Sequence, residues 1–95
     1  HITRAMTPQR SRGSITIELG PSFALPEAAR LHEELSHAAP GTAFELRFHR
    51  VRDWEASALA MLARDLAERG GDVAVHGLSK RQLQVLHYLG VDARE

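Results

Sequence analysis

A regular alternation of apolar and polar residues runs through Ala43-Phe44-Glu45-Leu46-Arg47-Phe48-His49-Arg50-Val51. Successive side chains of a β-strand point to opposite faces of the sheet, so this order places the apolar residues on one face. A strand that is covered on both faces is apolar nearly throughout. The stretch therefore predicts a strand in a sheet with one packed face and one polar face. Phe44, Leu46 and Phe48 are expected on the packed face, and Glu45, Arg47 and His49 on the polar face.

Two further strands and three helices are predicted around this strand. Ser14 to Leu19 shows the same alternation, and Val73 to His76 is a short apolar run. Helical spacing of apolar residues predicts helices over Pro26–Ala39, from Asp53 to about Arg69, and from Ser79 to Gly90. Asp53 and Ser79 are the expected N-caps, and Gly70-Gly71 is the expected end of the second helix. We expect Leu83, Leu86 and Leu89 to form the inner stripe of the third helix.

The order of these elements predicts an α/β fold. Strands that alternate with helices of this length are usually parallel, so we expect a mostly parallel sheet of three or four strands with about three helices packed mainly on one face. Residues 14–95 form one domain in this interpretation. Residues 1–13 are expected to be a flexible segment, in which residues 1–5 are vector remnants, or else to supply an extra edge strand.

Composition argues against several classes of protein. The 95 residues include no cysteine, and 12 basic residues balance 12 acidic ones, which disfavours a nucleic-acid binder. No run is apolar enough for a membrane span, so we expect a cytoplasmic protein without direct membrane insertion. Phosphate-binding glycine motifs and a serine-hydrolase elbow are absent, and the six histidines lack the spacing of metal ligands. We therefore predict no enzyme, no cofactor and no metal.

The junction between the central strand and the next helix carries the candidate binding residues. Ligands of open α/β sheets bind beyond the carboxyl ends of strands. Trp54, the single tryptophan, is expected on the first turn of the helix, as either a core-edge residue or an exposed anchor for a partner. The basic residues at the junction are either solvated or contacts for an acidic partner. The predicted partner-binding residues are Arg50, Arg52, Asp53, Trp54 and Ser57.

The whole layout resembles the STAS domain, the family of sulfate-transporter and anti-sigma-factor-antagonist domains. The resemblance covers about Ser14 to Val91 and implies a mixed sheet with helices mainly on one face, preceded by an antiparallel edge strand. The chain is similar to the shorter members, such as the STAS subunit of phospholipid-transporting ABC importers. The matching pieces are Ser14–Gly20, Ala43–Val51, Ala58–Gly71, Asp72–Ser79 and Leu86–Val91.

The family resemblance implies binding to a protein partner, either a kinase-like anti-sigma factor or an ABC-transporter ATPase. Anti-sigma antagonists of bacteria are phosphorylated on a Ser or Thr of a D-S-S-G or D-T-G-G motif at this junction. Counting back from Gly70-Gly71 places Asp53 at the acceptor position, and a shift of one residue places Trp54 there. Neither register supplies a hydroxyl, which disfavours a phosphorylation switch; Asp53 would instead be a fixed negative charge.

Two interpretations from other classes remain open. The first is a small-molecule or nucleotide-binding regulator that uses the N-terminus of the helix at the same junction. The second is a DNA-binding protein, because Leu78 to Leu86 superficially resembles the first helix of a helix-turn-helix, although a recognition helix must follow that helix. A homodimer is also compatible with the sequence.

Overall fold

The computed structural model describes residues 7–11 and 14–92 as a sheet with helices on one side. Its helices and strands, in chain order, are β1 (Thr7–Ser11), β2 (Ser14–Glu18), β3 (Ser22–Phe23), α1 (Leu25–His37), β4 (Ala43–Arg47), β5 (Asp53–Trp54), α2 (Ala56–Arg69), β6 (Val73–His76) and α3 (Lys80–Tyr88). A 3₁₀ turn, Gly70–Asp72, joins α2 to β6.

The main sheet confirms the predicted α/β class. Its strand order is β1-β2-β4-β6; β1 pairs antiparallel with β2, and the other pairs are parallel. Thr7–Ser11 thus form the edge strand that the sequence offered as the alternative to a flexible segment. Residues 1–5, interpreted as vector remnants, lie outside the described residues.

One face of the sheet carries the core, as the alternation predicts. Residues of β2 and β4 alternate between buried and more exposed positions, and the buried ones face the helices. Three helices cover this face, since α1 packs on α2 and α2 packs on α3. The buried apolar side chains of the three parallel strands are Ile15, Ile17, Phe44, Leu46 and Val75.

The ends of the helices follow from local hydrogen bonding. In α1 the Glu27 Oε1 atom accepts a 2.9 Å bond from the Ala24 N–H group. In α3 the predicted capping box is present, because the Ser79 Oγ atom accepts from the Gln82 N–H group and Gln82 Oε1 accepts from the Ser79 N–H group. Gly70 ends α2 at φ 62°, a conformation that glycine adopts without steric cost.

Two predicted details of β4 and α3 are wrong. The central strand ends at Arg47 rather than Val51, because the chain reverses in a turn where the Val51 N–H group bonds to the Phe48 carbonyl. Leu89 does not belong to the inner stripe of α3, since it lies beyond the last helical residue and is 42% exposed.

A partly buried polar contact joins α1 to α2. Asp65 on α2 is only 4% exposed, and its Oδ1 atom lies 2.7 Å from the Nδ1 atom of His32 on α1. Four residues further along α2, Arg69 donates a 2.7 Å hydrogen bond to the Leu35 carbonyl and places its guanidinium 5.2 Å from the centre of the Phe44 ring. The charged residues of α2 therefore hold α1 in place.

This contact makes the stability of the fold depend on pH. The hydrogen bond and the charge of Asp65 raise the pKa of His32 above its ordinary value of 6.5, so the charged imidazolium is favoured in the folded chain. A raised pKa gives a stabilisation that is complete below about 6.5 and is lost as pH rises through the folded value. We expect the free energy of unfolding of His32→Gln to decrease less with rising pH than that of the wild type. Urea unfolding between pH 5.5 and 9 measures this dependence. The exposed His37→Gln is the control, and an unchanged slope in His32→Gln would contradict the assignment.

Candidate functional site: a corner formed by two loops

Two loops meet at the carboxyl ends of β2 and β4 and form a corner of the molecule. Backbone hydrogen bonds hold the loops together: Arg52 and Asp53 both donate from their N–H groups to the Pro21 carbonyl, at 2.7 and 3.1 Å. The Glu55 N–H group donates to the Phe23 carbonyl at 3.1 Å. These bonds belong to the two-residue parallel pairing of β3 with β5. The corner is thus fixed by main-chain atoms, which leaves its side chains available for contacts.

Aromatic packing supports the corner from below. Phe23 and Phe48 are fully buried and meet edge to face, with ring centres 5.0 Å apart and an interplanar angle of 72°. Val51 and Trp54 pack partly buried against the same core. Because each loop contributes one of the two phenylalanines, the loops share a single apolar base.

The predicted partner-binding residues lie on this corner and at the start of α2. Arg50, Arg52, Asp53 and Ser57 are exposed, and Trp54 is half-buried. We call this set the docking corner. Trp54 therefore combines the two roles that the sequence left open, since part of it packs on the core and part faces solvent.

Asp53 is not the N-cap of the helix, contrary to the prediction. The N-cap is Glu55, whose side chain makes no capping bond, and α2 begins at Ala56. Asp53 and Trp54 form β5 instead of the first helical turn. Pairing with β3 engages the N–H groups of Asp53 and Glu55 and keeps the chain extended for two more residues, so the helix starts later.

Charges of both signs precede α2, since Arg50 and Arg52 are exposed on the same loop as two carboxylates. The carboxylates of Asp53 and Glu55 are exposed just before the first helical turn, at the positive end of the helix dipole. Between Arg50 and Ala56 the chain has no hydroxyl group, and Ser57 is already the second residue of the helix.

A shallow groove between α2 and α3 adjoins the docking corner. It encloses about 730 Å³ and shares Ser57 with the corner. The sequence did not predict this groove, because Tyr88 is not part of a periodic apolar pattern and Leu89 fits the predicted inner stripe of α3. In the structure Tyr88 is 90% exposed. The lining residues are Ala56, Ser57, Ala60, Arg81, Gln84, Val85, Tyr88 and Leu89.

The histidines do not assemble a metal site in the described part of the chain. Within residues 7–11 and 14–92, no group of three or more His, Asp or Glu residues is arranged to hold a metal ion. His76 lies opposite Arg47 in the sheet register, and its Nε2 atom is 3.8 Å from the Glu45 carboxylate. The ring of His49 instead lies against Gly77.

Comparison with protein families identifies the fold. The model of the family described as MlaB, STAS domain, matches residues 6–93, which is almost the whole chain. The chain belongs to the STAS domain family. A search of curated proteins gave no significant match. In this STAS domain Asp53 and Trp54, the two residues that counting back from Gly70-Gly71 places at the acceptor position, lie on β5 ahead of the helix.

The helices of this STAS domain are short. None in the described residues combines the length and the hydrophobicity that a bilayer crossing needs. The last one described is α3, and no helix that could act as a recognition helix follows it up to Asp92. The helix-turn-helix interpretation therefore has no support in this part of the chain.

Proposed function

We propose that this STAS domain is a non-catalytic regulatory subunit that binds the ATPase of an ABC transporter on its cytoplasmic side. The contact surface is the docking corner together with the groove between α2 and α3. One observation supports this most strongly: the junction at which family antagonists carry their phosphorylated hydroxyl has none here.

The missing hydroxyl favours an assembly role over a phosphorylation switch. A kinase that reaches the stretch just before α2 meets Asp53, Trp54 and Glu55, and none of these is an acceptor for the Ser/Thr chemistry of anti-sigma kinases; the nearest hydroxyl is that of Ser57, the second residue of the helix. Asp53 already carries a negative charge at this surface. A domain of this kind stays in one binding state, as a permanent subunit of a transporter requires. The family match to an MlaB-type STAS domain supports the same partner class.

The composition of the surface suits a protein partner. The centres of such interfaces are enriched in aromatic residues and arginine. Trp54 and the exposed Tyr88 supply the aromatic side chains, and Arg50, Arg52 and Arg81 supply the guanidinium groups. Arginine at the rim also attracts an acidic partner surface and excludes basic ones.

A nucleotide at the start of α2 is a weaker alternative. The helix N-terminus attracts phosphate through its free N–H groups. Here two exposed acidic residues, Asp53 and Glu55, directly precede the helix, and their like charge repels a phosphate near its N-terminus.

Binding of the purified domain to the ATPase subunit of a phospholipid-transporting ABC importer tests the proposal by calorimetry. We expect Tyr88→Ala to weaken this binding about tenfold or more, a cost of about 1.4 kcal/mol, because the ring is an exposed aromatic contact. The fold should be unaffected, since so little of the side chain is buried. His37→Ala, an exposed change on α1, is the matched control and should bind like the wild type.

An anti-sigma kinase is titrated in parallel, with ATP that carries a radiolabel on its terminal phosphate. No incorporation of phosphate and no binding are expected. Tight binding to the kinase but not to the ATPase would overturn the choice of partner, and equal ATPase binding by Tyr88→Ala and the wild type would remove the groove from the contact surface.

A further inference from the structure

A serine, a histidine and an aspartate form a continuous row of polar contacts across the interface between α1 and α2. The Ser36 Oγ atom lies 3.4 Å from the Nε2 atom of His32, and the Nδ1 atom of the same ring lies 2.7 Å from the Asp65 Oδ1 atom. His32 and Ser36 are four residues apart on α1 and therefore share one face of the helix. The same arrangement of side chains activates a serine nucleophile in hydrolases of several unrelated folds.

The buried carboxylate determines which nitrogen of His32 carries a proton. Asp65 is 4% exposed, and because an ionised carboxylate only accepts hydrogen bonds, the Nδ1 atom must donate. In the neutral ring the Nε2 atom then has a free lone pair, and this is the atom that contacts the Ser36 hydroxyl. The contact with Asp65 thus orients His32 as a base toward Ser36.

The charges around His32 favour the transfer of a proton to it. Asp65 and Glu68 on α2 and Glu33 on α1 all raise the pKa of the imidazole. When Ser36 attacks an electrophile, its proton moves to the Nε2 atom and the ring becomes positively charged, and the same carboxylates stabilise this charge. Only the neutral ring is a base, so the rate of attack should increase as pH rises through the raised pKa.

The position of Ser36 within a helix limits the kind of molecule it can react with. N–H groups inside a helix are already bonded to carbonyl groups of the same helix, so α1 offers Ser36 no oxyanion hole. An acyl donor must therefore contain a good leaving group, as thioesters and aryl esters of carboxylic acids do. Ser36 is exposed, and such a molecule can reach it from solvent.

We propose that Ser36 is a site of covalent acylation, at which His32 is the general base and Asp65 is a positioning residue. The Oγ atom bonds to the carbonyl carbon of the donor and gives its proton to the Nε2 atom. The tetrahedral intermediate then expels the thiolate or phenolate, which takes that proton, and an ester remains on Ser36. None of the three residues belongs to the docking corner or to the groove between α2 and α3, so the failure of either proposal leaves the other intact.

Reaction with p-nitrophenyl acetate tests the proposal, because absorbance measures the nitrophenolate released and mass spectrometry locates the acetyl group. At about pH 8.5 we expect Ser36 to be acetylated about tenfold faster or more than Ser57, an exposed serine on α2 that is the internal control. Ser36→Ala should lose the release of nitrophenolate that accompanies this acetylation. Equal acetylation of Ser36 and Ser57, or unchanged release in Ser36→Ala because the imidazole alone reacts, would overturn the proposal.

Substitutions separate the activation of Ser36 from the stability of the fold. His32→Gln removes the base and should slow the acetylation of Ser36 about tenfold or more, whereas His37→Gln, an exposed change on the same helix, should react like the wild type. Equal rates in these two variants would contradict the role of His32. Circular dichroism establishes that each variant is folded.

The pH profile of acetylation tests the role of Asp65. Asp65→Asn removes the charge that raises the pKa of His32, so both the rate at high pH and the midpoint of the profile should decrease. A carboxylate that only joined the helices would not move the midpoint of a reaction at Ser36. The same midpoint in folded Asp65→Asn and in the wild type would exclude Asp65 as a positioning residue. If Asp65→Asn does not fold, the comparison of His32→Gln with His37→Gln decides the proposal.

Discussion

Gly20→Ala will destabilise the domain by about 3 kcal/mol or more and will displace the docking corner. Gly20 has φ 124°, which alanine rarely adopts, and holding an L-residue there costs about 1–3 kcal/mol. A Cβ atom at this position would also lie 2.7 Å from the carbonyl carbon and oxygen of Arg50, so the main chain of the second loop must move. Overpacking of this kind adds about 1–3 kcal/mol. Urea unfolding measures the loss.

Gly41→Ala is the matched control for this prediction. Gly41 also has a positive φ, 85°, but a Cβ atom there would meet nothing within 4 Å. It should show the conformational cost alone, without the steric clash. If both variants lose the same free energy of unfolding, or if Gly20→Ala keeps full affinity for the ATPase, the close approach of the two loops does not position the corner.

Trp54→Ala is expected to weaken binding to the transporter ATPase about 30-fold, which corresponds to about 2 kcal/mol. Trp54 is the largest side chain of the docking corner, and its inner part is held by the core, so its outer part loses little entropy on binding. Calorimetry with the purified ATPase subunit measures the affinity.

The core contact of Trp54 requires a control for folding. Trp54→Phe keeps an aromatic ring on the core and should recover most of the stability and part of the affinity, whereas Arg52→Ala should lower mainly the association rate. An unchanged dissociation constant in Trp54→Ala, with the domain folded by circular dichroism, would exclude the corner as the central contact.

The sheet and its single covered face could be predicted from the sequence, because the period-two pattern of β2 and β4 is a property of each strand alone. The same holds for the three helices and for the Ser79 cap, where Gln82 lies three residues away. These features depend on neighbours in the chain. The position of β1 could be named only as an alternative, since the tail carries no alternating pattern of its own.

The junction residues of the corner could be named from the sequence, but the pairing of its two loops could not be predicted, because it depends on contacts between distant segments. Pairing of Ser22–Phe23 with Asp53–Trp54 joins segments about thirty residues apart and leaves no periodic signal in two residues. If this pairing is not known, Asp53 is the expected N-cap of α2, because aspartate is a favoured capping residue and lies just before the helical pattern. Asp65 was missed for a related reason: a carboxylate within a helical apolar stripe gives no sign of the histidine it will meet on another helix.

The joining of the two corner loops through main-chain carbonyls has an evolutionary consequence. The bonds from Arg52, Asp53 and Glu55 to Pro21 and Phe23 use only peptide groups, which every residue other than proline can donate. Outward side chains at these positions can therefore be exchanged without rebuilding the scaffold. One architecture could in this way serve many different recognition tasks, with specificity changed one surface residue at a time while the chain continues to fold.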